Sequence, residues 1–246
     1  MQGKETSHVG GFYRNVPQTD VLLDLIGEQS ATIGCFGCGI GCEPYTIVLR
    51  YLEKTKSFPN YIIEASDISD ITISRAINGS YFRDEVYFAK GMIPDSVVSE
   101  YFDIKADMYL LKRDVCNRVS FSVRDLFDPL LLKQKFNYYD ITMCQNVITH
   151  YDDEAAVEIL NILVSMTKIN GYIFVGGHDP FREKAVRRGF ENLQEVTKSI
   201  EEIHNNWHIR RSAWEGPNSV YWALEPLDKT KDKWERIYTS IYKRVS

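Results

Sequence analysis

Residues 34–45 read GCFGCGIGCEPY, and this stretch decides the fold. A run of small and apolar residues from Ala31 to Phe36 enters three glycines spaced by two, Gly37, Gly39 and Gly41. A helical pattern then opens at Glu43-Pro44. The order is strand, glycine-rich turn, helix. A turn without side chains lets a ligand lie against the backbone, and the start of a helix leaves its first N–H groups without intrahelical partners. In open α/β sheets such a crevice receives nucleotide-like ligands. Gly37, Gly39 and Gly41 are therefore expected to line a ligand site.

The flanking sequence keeps the same rhythm. Upstream, residues 1–17 read as an irregular N-terminal arm, followed after Thr19 by a short helix with Val21, Leu22, Leu25 and Ile26 on one face. Downstream, a helix is expected from about Pro44 to Leu52, with the proline in the first turn where its missing N–H costs nothing. A strand follows at Tyr61–Ala65, then a helix capped by Ser69 and stopped at Asn78-Gly79. Further strands are expected at Val119–Val123 and Tyr139–Cys144. An amphipathic helix over 153–168 stops at Asn170-Gly171, and a fifth strand runs from Tyr172 to Gly176. This alternation predicts an α/β fold, a mostly parallel sheet with helices on both faces.

Two regions break the rhythm. Residues 80–118 are too long for a simple connection and read as an insertion forming a small lobe beside the cleft, with a helix at Asp95–Phe102 and a strand at Met108–Leu111. Past residue 180 the pattern suggests a helix, then two β-like runs, Trp207–Arg211 and Val220–Leu224, as antiparallel C-terminal strands. A charged amphipathic helix is expected within 226–246, with Trp234, Ile237 and Ile241 on one face. With no internal repeat and no low-complexity linker, the expectation is a single domain over 1–246.

The chain's 246 residues suffice for one large α/β domain. The net charge of −5 argues against nucleic acid as the main partner, although Arg182–Arg188 and Arg210-Arg211 are local basic patches. The N-terminus MQGKETSHVGG has no apolar core of the signal-peptide kind. No apolar run approaches the ~18 residues a membrane span requires, so no membrane insertion and a cytoplasmic location are expected. Cysteines number five. Cys35, Cys38 and Cys42 cluster inside the glycine turn, but no fourth ligand is paired nearby and strand ends place side chains on alternate faces. They read as small residues for close packing rather than as a metal site.

Candidate site residues fall at strand ends. Asp67 ends the second strand in EASDIS, where a carboxylate can accept from two ribose hydroxyls; the alternative is an aspartate that merely starts the next helix. Asp125 follows the third strand in VRDLFD. Its side chain could accept from an adenine amino group with Leu126 and Phe127 against the ring, or could simply shape a turn. Asn146 ends the fourth strand in MCQNVITHYDD, with His150 and Tyr151 a few residues on, and at least one of these two is expected to touch the reacting group.

Taken in order, these segments resemble the chemotaxis receptor methyltransferase (CheR) family. The family's Gly-Glu-Glu-Pro-Tyr element appears as Gly41-Cys42-Glu43-Pro44-Tyr45, with Cys42 replacing the first Glu. Its Ala-Ser-Asp-Ile element is unchanged at Ala65–Ile68, and its Ala-Xaa-Xaa-Gly-Xaa-Tyr element is similar to Ala76–Tyr81. Its Asn-Leu element is represented by Asp125-Leu126, and its Cys-Arg-Asn-Val element by Cys144-Gln145-Asn146-Val147. Its Gly-His-Ser element reads Gly177-His178-Asp179. The Phe-Phe-Arg element that lies over the cofactor looks like Phe12-Tyr13-Arg14.

The resemblance implies a class I, Rossmann-like methyltransferase dependent on S-adenosylmethionine, with transfer to oxygen favoured. It places Arg14 and Glu43 at the methionine end of the cofactor and Asp67 at the ribose, with Ile68, Asp125, Leu126, Gln145 and Asn146 also lining the cofactor. It makes residues 80–118 the family's small β-subdomain, which can dock receptor tails. Two departures alter the substrate side. Only residues 1–11 precede Phe12, where the family has a helical domain that helps bind the receptor helix. His150 takes the place of the family's active-site Tyr, with Tyr151 next door. The expected acceptor is a carboxylate or hydroxyl of a small molecule or a peptide, including a protein glutamate. The competing class is a non-catalytic cofactor-binding or protein-interaction module on the same fold. Asp179-Pro180 resembles part of the acid-Pro-Pro-aromatic motif of amino-group nucleic-acid methyltransferases, but that motif belongs after the fourth strand and is absent there. A carboxylate nucleophile, with a free Glu titrating near ~4.3, needs no general base, whereas a hydroxyl or amine acceptor would turn to His150.

Overall fold

The computed structural model describes residues 10–87, 93–176, 192–213 and 227–246. Helix α1 (Val16–Ile26) carries a proline in its first turn and buries Gln18, Thr19, Val21, Leu22 and Leu23. Strand β1 (Ala31–Phe36) leads through the glycine turn into α2 (Cys42–Thr55). Strand β2 (Tyr61–Asp67) leads into α3 (Asp70–Asn78), where the Ser69 hydroxyl accepts from the Thr72 N–H and Gly79 closes the helix in the left-handed conformation. A lobe follows, built from β3 (Ser80–Phe82), α4 (Arg83–Val86), α5 (Asp95–Tyr101), β4 (Phe102–Lys105), β5 (Met108–Leu111) and α6 (Arg113–Cys116). The chain then returns as β6 (Val119–Val123), α7 (Pro129–Lys135), β7 (Tyr139–Cys144), a 3₁₀ turn (Ile148–His150), α8 (Asp153–Met166) and β8 (Thr167–Val175). It ends with β9 (Leu193–Glu195), α9 (Ile200–Ala213), α10 (Trp234–Tyr238) and β10 (Ile241–Arg244).

Among the described residues the main sheet has the order β6-β2-β1-β7-β8-β10-β9. Strands β1, β2, β6, β7 and β8 pair in parallel, and β10 runs antiparallel between β8 and β9. The chain walks outward from β1 through β2 to β6, then jumps back to β7 on the other side of β1. That reversal leaves a crevice at the carboxyl ends of β1 and β7, the place where open α/β sheets bind ligands. Side chains of the central strands feed two cores, as a strand's alternation requires. Ile33, Cys35, Ile141 and Met143 join one face with Leu22 and Tyr45, while Phe36, Cys144, Ile173 and Val175 join the other with Leu163.

The lobe's sheet is antiparallel, in the order β3-β5-β4. It is tied to the site from two directions. Phe12, fully buried, packs edge-on against Tyr81 at 4.8 Å and Phe102 at 5.4 Å between ring centroids. The Tyr81 hydroxyl donates to the Ile40 carbonyl of the glycine turn at 3.0 Å.

Three expectations are corrected. Trp207–Arg211 is helical, inside α9, because Ile200, Ile203 and His204 already set a buried helical stripe with Glu201 and Glu202 in the first turn. Residues 226–246 do not form one helix: α10 stops at Tyr238, Thr239 Oγ1 accepts from the Ile241 N–H, and 241–244 become β10. The strand wins because it fills an open ladder between β8 and β9, where every backbone group finds a partner. Asn170-Gly171 is not a helix stop. The helix ends at Met166, and Asn170, at φ 67°, sits in a bulge of β8 where the register with β7 shifts. A Cβ on Gly171 would stand 2.7 Å from the Asp140 carbonyl oxygen, so the bulge needs a glycine there. The Val220–Leu224 run lies outside the described residues.

Candidate cofactor site

The glycine turn is held by its own amides. The N–H groups of Gly37 and Cys38 donate to the Ser66 carbonyl at 2.8 and 3.0 Å, that of Gly41 to the Cys38 carbonyl at 3.0 Å, and that of Gly39 to Asp67 Oδ2 at 2.9 Å. These four groups secure the turn rather than reach outward. All three glycines have positive φ. A Cβ on Gly37 would lie 2.3 Å from Val147 Cγ2, whereas one on Gly39 would meet nothing within 4 Å. Bare backbone at Gly39 is what the turn presents.

Asp67, half-buried at the end of β2, joins this turn to the start of α3: its second oxygen accepts from the Ser69 N–H at 3.0 Å. Each carboxylate oxygen has two lone-pair sites, so both retain capacity for a ligand hydroxyl. Ile68 beside it is 62 % exposed.

The N-terminal arm crosses from α2 to β7. The Tyr13 N–H donates to Thr46 Oγ1 at 3.0 Å, and Thr46 Oγ1 donates to the Cys42 carbonyl at 2.7 Å. The Tyr13 side chain turns away from the crevice to Glu53. Arg14 comes next and Glu43 stands in the adjoining first turn of α2. Burial pushes the Glu43 carboxyl up to about 7, against a downward pull from the Arg14 guanidinium. One residue on, Asn15 Nδ2 donates to Gln145 Oε1 at the end of β7. Gln145 Nε2 donates to Gln18 Oε1, and the Gln18 nitrogen donates to the Val175 carbonyl. Asn146 follows with φ 59°. Asn15 Oδ1 and Asn146 Oδ1 are buried with no hydrogen-bond partner among the described residues.

Beyond β6, Asp125 is exposed; its Oδ1 accepts from the Phe127 N–H at 2.9 Å and its carbonyl from the Asp128 N–H at 3.1 Å. These bonds give Asp125 the turn-shaping part, one of its two anticipated readings. Leu126 and Phe127 are half-buried, and the Phe127 ring lies 5.6 Å from that of Tyr151. Burial raises the Tyr151 phenol first, with further upward pushes from Asp125, Cys144 and Asp67. His150 is exposed at the end of the 3₁₀ turn, its N–H donating to the Val147 carbonyl.

Asn15 and Gln18 are the residues that sequence reasoning missed. The signal was present: Gln18 stands four before Leu22 and seven before Leu25, an apolar position of α1 occupied by an amide. All five cysteines are free and buried, and burial pushes the thiols of Cys35, Cys38 and Cys42 up. No metal-binding group of His, Cys, Asp and Glu occurs among the described residues. His178, Asp179 and Arg182–Arg188 lie outside them. No helix among the described residues is long and apolar enough to cross a membrane.

A doubly wound sheet closed by an antiparallel strand slotted between its last two, with a glycine turn after β1 and an acid after β2, defines the class I S-adenosylmethionine-dependent methyltransferase fold. Within that class the chain belongs to the CheR methyltransferase family, whose S-adenosylmethionine-binding domain matches residues 5–197. It is 29 % identical over 160 residues to a protein described as a probable biofilm formation methyltransferase, WspC, of Pseudomonas aeruginosa, covering 63 % of this chain and 36 % of that one. It is also 29 % identical over 185 residues to a chemotaxis protein methyltransferase of Vibrio parahaemolyticus, covering 73 % of this chain and 66 % of the relative. A third relative, chemotaxis protein methyltransferase 1 of Pseudomonas aeruginosa, is 29 % identical over 168 residues, covering 65 % and 59 %. The chain thus spans between about a third and two thirds of the length of these relatives.

The residues present fit the cofactor of this domain. Two buried oxygens without partners among the described residues lie at the crevice's β7 side, a half-buried carboxyl pushed up to about 7 stands on α2, and bare backbone lies at Gly39.

Proposed function

We propose that this chain is a methyltransferase that transfers a methyl group to a carboxylate oxygen. Arg14 and Glu43 hold the amino-acid end of S-adenosylmethionine, Asp67 accepts from the ribose hydroxyls, and Ile68, Leu126 and Phe127 cover the adenosine. When bound, the cofactor supplies an electrophilic methyl group on a sulfonium. The chain's own work is to align an acceptor with that methyl and to exclude water.

The observation that carries the carboxylate is Tyr151. A free phenol, titrating near ~10, is already protonated at neutral pH, and burial and neighbouring acids push that of Tyr151 further up, so its hydroxyl is available as a hydrogen-bond donor rather than a base. A donor suits an acceptor that arrives ionised and needs no proton removed. His150, exposed one residue earlier, is placed to meet a substrate arriving from solvent. The resemblance to the chemotaxis receptor methyltransferases directs the first choice of acceptor toward a protein glutamate, with small carboxylic acids as the second.

The test is transfer of labelled methyl from S-adenosylmethionine to receptor-type proteins and to small carboxylic acids. A methyl ester releases its label as methanol in mild alkali. Alkali-labile label is expected. Alkali-stable label, or none on any acceptor, contradicts the proposal. His150→Phe is expected to keep cofactor affinity and to lower turnover; unchanged turnover removes His150 from the reaction.

A further inference from the structure

Ser240, Gln18, Gln145 and Asn15 form an unbroken polar chain through the buried interior, and its direction is set from one end. The carbonyls of Val175 and Ser240 can only accept, so the Gln18 nitrogen must face them, at 3.1 and 3.4 Å, with Ser240 Oγ at 3.0 Å. Gln18 Oε1 then faces the other way and takes the Gln145 amide N–H. Gln145 Oε1 is left to take the Asn15 amide N–H. Turning over any one of these amides would set oxygen against oxygen or NH₂ against NH₂. The last atom is therefore forced to be an acceptor, and that atom, Asn15 Oδ1, has no partner among the described residues although Asn15 is only 8 % exposed.

The ordinary explanation for an asparagine just before a helix fails here. Asn15 is the N-cap residue of α1, yet its side chain makes no capping hydrogen bond. A buried acceptor left without a donor is unfavourable, so this atom calls for a donor from a bound molecule, ligand or water. Asn146 Oδ1, next along from Gln145, repeats the situation.

We infer that Asn15 is a cofactor-binding residue whose Oδ1, held in place by the Gln18–Gln145 chain, accepts a hydrogen bond from the α-ammonium of S-adenosylmethionine. This rests on the cofactor site proposed above. The cofactor's donors are an adenine amine, ribose hydroxyls and the ammonium. Asp67 stands at the end of β2, on the adenosine side of the crevice. Asn15 belongs to the opposite side, bonded to the residue just past β7 and adjacent in the chain to Arg14, whose charge acts on Glu43. The donor at that end is the ammonium.

The test compares two ligands by calorimetry: S-adenosylhomocysteine and its analogue with hydrogen in place of the α-amino group. Asn15→Ala is expected to weaken binding of the first by about ten-fold, the loss of one charge-assisted hydrogen bond, and to leave the second unchanged. Equal losses for both ligands would overturn the inference. Gln145→Ala removes the partner that aims the Asn15 side chain, so it is expected to narrow the preference for the amine-bearing ligand; an unchanged preference would overturn the inference even if Asn15→Ala proves too unstable to titrate. Failure of the unaltered protein to bind S-adenosylhomocysteine would instead sink the cofactor site itself.

Discussion

Glu43 shows how a single residue couples burial to ligand charge. Its carboxyl is pushed from an ordinary 4.5 to about 7, so the folded chain holds that proton more tightly than the unfolded chain. Between those values the free protein therefore loses stability as pH rises, and the loss persists above 7. Glu43→Gln is expected to be more stable than the parent at pH 8, by on the order of 1–3 kcal/mol, and to match it near pH 4. Denaturant melts of both proteins at the two pH values check this; a variant less stable at pH 8 would contradict it. Binding of an ammonium beside Glu43 should also expel the proton near pH 7, so binding heats should depend on the ionisation enthalpy of the buffer in the parent and not in Glu43→Gln. At this scale the sequence was readable where a motif fixed a residue's place, as for Glu43 in the first turn of α2 and Asp67 at the end of β2. It was silent at Asn15, and at Gln18 it showed only an amide on an apolar face, because a buried amide network depends on partners from four separate segments that no local pattern records.

At the scale of elements, the turn between β1 and α2 is set by approach distances as well as by backbone angles. Gly37→Ala adds a Cβ 2.3 Å from Val147 Cγ2 at a φ of 68°. Gly39→Ala adds one in open space at a φ of 52°. The first should cost roughly 2–3 kcal/mol and the second about 1, since only backbone strain remains there. Adding Val147→Ala should recover part of the first loss and none of the second. Equal costs in denaturant melts would contradict the contact. The strands and helices around the turn were legible because each carries its own period and its own stop, as Ser69 and Gly79 do for α3. The C-terminal elements were not. Ile237 and Ile241 fit a helical face, and Trp207–Arg211 alternates like a strand, but the choice is made by an empty place in the sheet rather than by local preference.

For the molecule as a whole, β10 is the closing piece. It joins β8 to β9, and Ser240, just ahead of it, anchors the polar chain that ends at Asn15. A chain ending at Ser240 should lose cooperative melting or melt far below the full chain, because β8 then exposes an unpaired edge. An unchanged melting temperature would show that β10 is dispensable. The lobe and the arm meet the same crevice from the other side through Phe12 and Tyr81, so the site is assembled from both ends of the chain around the β1–β7 switch point. The most direct test of that assembly is a calorimetric titration of S-adenosylhomocysteine into the parent and into Asp67→Ala. The account predicts one bound ligand per parent chain and at least a roughly ten-fold weaker affinity in the variant, for the loss of charge-assisted bonds to the ribose. No binding by the parent, or equal affinity in both, would contradict it.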